Sequence, residues 1–104
     1  MDWKTEMHDE AQKELLKLDN SIRQQVIKAI DKVSQNPLPS QEGGYGKTLR
    51  NASSSKLAGC CKIKLVKCGY RIVYKPIREG NIMKIIIISI RADDEVYKEA
   101  EKRL

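Results

Sequence analysis

The chain has 104 residues, the length of one domain with a modest hydrophobic core, and the sequence predicts a single domain over residues 1–104. Its net charge is +6 at pH 7, from 20 basic and 14 acidic residues, and phenylalanine is absent. No stretch is apolar for long enough to cross a membrane, and the polar, acidic N-terminus is unlike a signal peptide, so we expect a cytoplasmic protein without membrane contact.

The first half of the chain predicts one strand and two helices. Residues 2–7 alternate apolar and polar side chains, as in a short edge strand. Asp9 can cap a first helix, and Ser21 can cap a second that ends near Gln35. Both helices carry apolar residues at helical spacing, which predicts a helical hairpin with one apolar seam. Residues 37–57 are rich in glycine, serine and proline and predict a flexible connection.

The second half predicts three antiparallel strands and a helix. Residues 60–74 are typical of two alternating strands joined by a two-residue turn at Cys68-Gly69. Residues 82–90 contain four consecutive isoleucines, which indicates a central strand covered on both faces. Asp93 can cap a last short helix. The order predicts an α+β fold: an N-terminal strand, a helical hairpin, an antiparallel three-stranded meander and a short C-terminal helix, with the helices on one sheet face and a basic, open face opposite.

The pairing of the hairpin decides which face its charged residues share. Lys62 and Lys64 are two apart in one strand, so their side chains project from the same face. With a two-residue turn, Arg71 pairs with Val66 and joins that face. A three-residue turn would instead move Arg71 to the core face, and the pattern alone leaves both registers open. In the first register the open face carries a cationic triad without acids beside it, which suggests a phosphate ligand.

Positive charge is concentrated in the predicted sheet. Residues 56–91 hold nine basic residues against one acid, Glu79, and a field confined to one region favours a polyanion such as nucleic acid. Three cysteines and a single distant histidine disfavour a zinc site, and neither a metal nor a cofactor is expected. Four further basic residues are expected to contact a phosphate backbone: Lys47, Arg50, Lys56 and Lys75.

RNA cleavage without a metal is one chemistry that these residue types could perform. The attacking 2′-hydroxyl must lose a proton while the phosphate gains charge, and arginines stabilise that charge with paired hydrogen bonds. A lysine among other cations has its pKa lowered and can act as a base, and a tyrosine can stack on a nucleotide base. General nucleic-acid binding explains the same residues, as does a merely solvated basic face with Tyr97 in the core. The candidates are Lys62, Lys64, Arg71, Arg91 and Tyr97.

Three short motifs extend this hypothesis. The sequence reads K-I-K-L at 62–65, G-Y-R-I-V-Y at 69–74 and E-V-Y at 95–97, and in these it resembles the RelE toxins of the RelE/ParE superfamily, the toxin halves of bacterial and archaeal toxin–antitoxin pairs. The resemblance is dense over residues 57–104 and looser over the N-terminal strand and helices. It implies a microbial-RNase-like fold and cleavage of mRNA in the ribosomal A site, by 2′-hydroxyl attack that leaves a 2′,3′-cyclic phosphate and a 5′-hydroxyl.

The resemblance also implies partners and residue roles. The partners would be a translating ribosome with mRNA in the A site and a small cognate antitoxin, which forms a hetero-oligomer with the toxin. Lys62 and Lys64 would hold the backbone, one of them as the base, and Arg71 would stabilise the phosphate transition state. Arg91 would stabilise charge or the leaving group, and Tyr97 would orient or stack on the nucleotide. Two rivals remain: a gyrase-poisoning toxin of the ParE branch, which generally lacks this residue set, and a non-catalytic basic module that binds nucleic acid.

Overall fold

The computed structural model describes residues 3–49 and 55–104, which form one five-stranded sheet and three α-helices. In chain order the elements are β1 Lys4–Met7, α1 Asp9–Lys17, α2 Asn20–Val33, β2 Lys47–Thr48, β3 Cys61–Leu65, β4 Tyr70–Ile77, β5 Ile82–Ser89 and α3 Asp93–Arg103. Within these residues, no helix has the length and apolar character needed to cross a membrane.

The sheet has the strand order β1-β5-β4-β3-β2. Strand β1 lies at one edge, as predicted, and runs parallel to β5 with Lys4 opposite Ile82. All other neighbouring strands are antiparallel. Strand β5 lies between β1 and β4, which confirms the inner position that its four isoleucines predict. The α+β order of strand, helical hairpin, antiparallel meander and final helix is confirmed as well.

Helices cover both faces of the sheet. Alternation along β4 sends Ile72 and Tyr74 into the core beneath α1 and α2, while Val73 enters a second core on the opposite face. Helix α3 closes this second core with Val96 and Ala100, so the expectation that all helices share one face was wrong for α3. The physical reason is that β4 and β5 present fully buried apolar side chains on both faces, and each face needs cover.

The turn between β3 and β4 has four residues, 66–69, rather than the two that were predicted. Gly69 adopts a left-handed φ of 76°, and its N–H donates to the carbonyl of Leu65 at 2.8 Å. Lys64 therefore lies opposite Arg71, and the predicted pairing of Arg71 with Val66 was wrong by two residues. A shift of two residues preserves the side-chain face, so the predicted face of Arg71 is correct.

The described residues of the connection, 37–49 and 55–57, are ordered, contrary to their prediction as part of a flexible segment. Its short strand β2 extends the sheet beside β3. The buried Tyr74 hydroxyl donates to the carbonyl of Pro37 at 2.7 Å, which ties the start of the connection to the core. A side chain at Gly46 would collide with that hydroxyl, so this position needs glycine. The connection thus adds a fifth strand that composition did not indicate.

Strand β1 pairs with β5 only as far as Ile85, and beyond that residue no described strand lies on this edge of β5. Beyond this point, side chains replace the missing strand. The N–H of Ile88 donates to Glu14 Oε1 at 3.1 Å, and Arg103 Nη1 donates to the carbonyl of Ile86 at 2.9 Å. Glu14 and Arg103 also form a two-pronged ion pair with both distances at 2.8 Å. This Glu14–Arg103 pair joins α1 to α3 around the strand edge.

Removing one partner of the Glu14–Arg103 pair should destabilise the fold. The Arg103 side chain is only 9% exposed, so Glu14→Ala removes two charge-assisted hydrogen bonds from a largely buried guanidinium, which keeps Glu99 as a carboxylate partner at 3.2 Å. The variant also leaves the N–H of Ile88 without its acceptor. We expect the free energy of unfolding to fall by about 3 kcal/mol in urea denaturation. The matched control is Glu10→Ala on the same helix, whose carboxylate is 52% exposed and pairs with Lys13; a loss below about 0.5 kcal/mol is expected there. Equal losses in both variants would contradict this assignment.

Candidate RNA-binding and catalytic site

Strand pairing collects four basic residues on one face of the sheet. Lys47 lies opposite Lys62 across β2 and β3, and Lys64 lies opposite Arg71 across β3 and β4. Residues directly opposite in antiparallel strands share a face, with Cβ atoms roughly 5 Å apart. The alternate residue Ile63 packs against the core beneath α1 and α2, so the four basic side chains lie on the other face. The structure thus brings together Lys62, Lys64 and Arg71, as predicted.

The three lysines border an open groove of about 530 Å³. We call it the lysine groove; its lining residues are Ser40, Gln41, Lys47, Thr48, Lys62 and Lys64. Among the residues described, none of these lysines forms an ion pair with an acid. Cations set close together without acidic partners attract anions, and the neutral polar side chains beside them can donate hydrogen bonds. The lysine groove therefore suits a phosphate backbone.

Arg71 differs from the lysines because protein oxygens already hold its guanidinium. Nη1 donates to the carbonyl of Arg91 at 2.9 Å, and Nε lies 2.5 Å from Asp93 Oδ1 in an ion pair whose N–H is not aligned as a hydrogen bond. The Arg71 side chain is 22% exposed. Asp93 was predicted only as a helix cap; it is instead the first residue of α3, with Ala92 at the cap position. Sequence reasoning missed its contact with Arg71.

Tyr97 packs its ring against the second core, beside the arginine. Its hydroxyl oxygen is shielded from solvent and has no hydrogen-bond partner in the described part of the chain. Burial raises the pKa of Tyr97, the negative charge of Asp93 raises it further, and the positive charge of Arg71 opposes both. Tyr97 is thus both a contact between helix and sheet and an electrostatic neighbour of Arg71.

Arg91 meets Arg71 through its backbone rather than its side chain. The Arg91 guanidinium is 68% exposed and lies 3.9 Å from Glu95 one helical turn ahead. It lines a separate cavity of about 220 Å³ between β5 and α3, together with Ser89 and Arg103. The structure does not bring this guanidinium into the lysine groove.

The remaining predicted phosphate contacts are dispersed. Lys75 lies further along β4, opposite Lys84, and its charge acts on the buried thiol of Cys60. Lys56 borders a shallow depression with Lys98 and Lys102 rather than the lysine groove. Arg50 lies outside the described residues. Of the four predicted backbone contacts, the structure places Lys47 in the lysine groove.

Comparison with known proteins assigns this chain to a class of proteins. The sequence model of the family described as "ParE toxin of type II toxin-antitoxin system, parDE" matches residues 5–95. The mRNA interferase toxin RelE of Escherichia coli K12 is 34% identical over 99 residues, which cover 92% of this chain and 90% of that protein.

Solved structures agree with the sequence comparison. A free E. coli RelE toxin with two arginines changed to alanine has a TM-score of 0.77 at 32% identity, over 100% of this chain and 99% of that one. The toxin in the intact E. coli RelBE toxin–antitoxin complex has a TM-score of 0.69 at 26% identity, over 86% of this chain and 98% of that one. The fold is therefore that of one class of toxins from type II toxin–antitoxin systems. Within them, this chain belongs to the RelE family of the RelE/ParE superfamily, as the motifs predicted.

The two parts of Tyr97 should contribute differently to stability. Because its hydroxyl is shielded and has no partner among residues 3–49 and 55–104, Tyr97→Phe should raise the free energy of unfolding by about 1 kcal/mol, measured by urea denaturation. Because its ring packs against the second core, Tyr97→Ala should lower that free energy by about 2 kcal/mol. A loss of stability in Tyr97→Phe would mean that the hydroxyl has a structural partner after all.

Proposed function

We propose that this chain is the toxin of a type II toxin–antitoxin system and cleaves mRNA on the translating ribosome, in the cytoplasm. The observation that carries the proposal is the position of Arg71, which lies directly opposite Lys64, one of the residues that line the lysine groove. A guanidinium recognises two phosphate oxygens at once, and the lysines attract the rest of the backbone. The identity with a relative named mRNA interferase toxin RelE supports RNA as the substrate.

The proposed reaction is attack of a ribose 2′-hydroxyl on the adjacent phosphorus. A bond forms between the 2′-oxygen and phosphorus, the bond from phosphorus to the 5′-oxygen breaks, and the products are a 2′,3′-cyclic phosphate and a 5′-hydroxyl. In this scheme Lys62 and Lys64 hold the backbone, and one of them, in its neutral form, accepts the proton of the 2′-hydroxyl. The leaving 5′-oxygen takes a proton from water and becomes the 5′-hydroxyl. Arg71 stabilises the negative charge that develops on the non-bridging oxygens.

Two residues would assist from α3 and the segment before it. Tyr97, whose hydroxyl lies within electrostatic range of Arg71, would orient the nucleotide next to the reacting phosphate. Arg91 would stabilise the leaving 5′-oxygen, which requires its exposed side chain to turn from Glu95 toward the lysine groove. Lys47 would bind a neighbouring phosphate from β2.

The proposed partners are the ribosome and a small cognate antitoxin. E. coli RelE, a relative with a TM-score of 0.72 and 32% identity, has been solved in complex with a peptide of its antitoxin RelB. A segment that neutralises this chain would cover the basic face, and acidic side chains would complement the unpaired lysines of the groove.

Loss of Arg71 should abolish cleavage while the fold persists. We expect Arg71→Ala to lower the rate of mRNA cleavage on translating ribosomes by about 100-fold or more, as primer extension of the mRNA would measure. Its partner Asp93 is 39% exposed and can be solvated when left alone, so thermal unfolding should change little.

The matched control is Lys67→Ala, which removes the same charge from the tip of the same hairpin. Lys67 is exposed in the turn, and its variant should cleave within about twofold of the unchanged protein. Normal cleavage by Arg71→Ala would refute the site assignment. Intact mRNA together with cleaved DNA–gyrase complexes would favour the gyrase-poisoning rival, to which the ParE description of the matching family lends weight.

A further inference from the structure

The contacts of Arg71 raise a question of access. Its Nε faces the carboxylate of Asp93 at 2.5 Å, and its Nη1 donates to the carbonyl of Arg91 at 2.9 Å. The carbonyl of Arg91 belongs to the segment that leads into α3, and Asp93 is the first residue of that helix. The lysines of the groove have no comparable acidic partner within the described residues. Among the described residues Lys47, Lys62, Lys64 and Arg71, which share this sheet face, Arg71 alone forms an ion pair with an acid.

A phosphate that approaches Arg71 meets the negative charge of Asp93. Either the phosphate shares the guanidinium with the carboxylate, which sets two anions side by side, or it takes the carboxylate's place. The pair is only partly exposed, with 22% of the Arg71 side chain and 39% of the Asp93 side chain accessible, so solvent screens this repulsion incompletely. Displacement of Asp93 is the less costly of the two.

The displaced carboxylate has a hydrogen-bond donor available. Asp93 and Tyr97 are four residues apart in α3 and therefore lie on the same face of the helix. The Tyr97 hydroxyl is shielded from solvent and lacks a partner in the described structure. A shielded hydroxyl without a partner is uncommon, because leaving it unpaired costs free energy. A carboxylate that leaves Arg71 can accept this hydroxyl's hydrogen bond.

We propose that Asp93 determines which RNA reaches Arg71: it occupies the guanidinium in the free protein, and a phosphate must displace it. RNA that binds through a single phosphate competes poorly with this internal anion. RNA whose neighbouring phosphates also engage the lysine groove supplies the additional binding free energy for the exchange. The proposal rests on the proposed function, because it takes Arg71 as the group that binds the reacting phosphate.

The test measures binding rather than cleavage. The probe is a short, fluorescently labelled single-stranded RNA with 2′-O-methyl riboses, which cannot react, and fluorescence anisotropy gives its Kd for the full chain. We expect Asp93→Asn to lower the Kd about tenfold, which corresponds to ~1.4 kcal/mol. The matched control Asp94→Asn removes the same charge from the next residue, which is exposed, and should change the Kd by less than about twofold. Asp93→Glu restores the carboxylate and should return the Kd toward that of the unchanged protein.

A double variant separates competition at Arg71 from a general change in charge. In an Arg71→Ala background, Asp93→Asn should no longer tighten binding, because the guanidinium for which it competes is gone. The proposal is wrong if Asp93→Asn binds no more tightly than Asp94→Asn, or if its gain persists without Arg71. These outcomes do not depend on turnover. A chain that leaves mRNA intact but shows the Arg71-dependent gain would refute the proposed function and retain this inference.

Discussion

The unpaired edge of β5 is the constraint on which the arrangement of this molecule depends. Strand β1 covers β5 only as far as Ile85, and the buried backbone beyond it needs hydrogen-bond partners. Glu14 and Arg103 supply them, and in doing so they bind α1 to α3 across the two faces of the sheet. Because α3 is held in this way, its first residue, Asp93, lies against Arg71. A backbone requirement at one strand edge thus fixes the helix that borders the proposed site.

Side-chain alternation determined the part of the site that the sequence could predict. Lys62, Lys64 and Arg71 share a face because side chains along β3 and β4 alternate between the two faces of the sheet. The apolar residues between them are buried in the core on the opposite face, which fixes the face that the basic residues occupy. The predicted turn length was wrong, but the predicted face of Arg71 was right, because a shift of the strand pairing by two residues keeps each side chain on the same face. Motif resemblance added Tyr97, whose hydroxyl lies within electrostatic range of Arg71. Local periodicity and a few motifs therefore predicted most of the fold and placed together the residues at the centre of the proposed site.

Features that depend on distant contacts could not be predicted in this way. Val96 and Ala100 indicate that α3 is amphipathic. The sheet face that α3 covers is decided by apolar residues of β4 and β5 that the other two helices do not cover. Strand β2 forms because Tyr74 and Gly46 fix the connection that precedes it. Asp93 looked like an ordinary helix cap, since nothing near it in sequence points to an arginine on β4. Each of these features links segments far apart in the chain.

The two kinds of basic residue have different roles in this structure. The described arginines all lie against protein oxygens: Arg23, Arg71, Arg78, Arg91 and Arg103. The planar, weakly hydrated guanidinium suits such fixed contacts, whereas the strongly hydrated ammonium groups of the groove lysines remain without acidic partners among the described residues. The lysines therefore provide an undirected, salt-sensitive attraction for a polyanion. In the proposed mechanism, directed recognition of one phosphate falls to Arg71, which must exchange one oxygen partner for another. The RNA positions at which a phosphate can replace Asp93 then depend on the whole basic face rather than on the guanidinium alone.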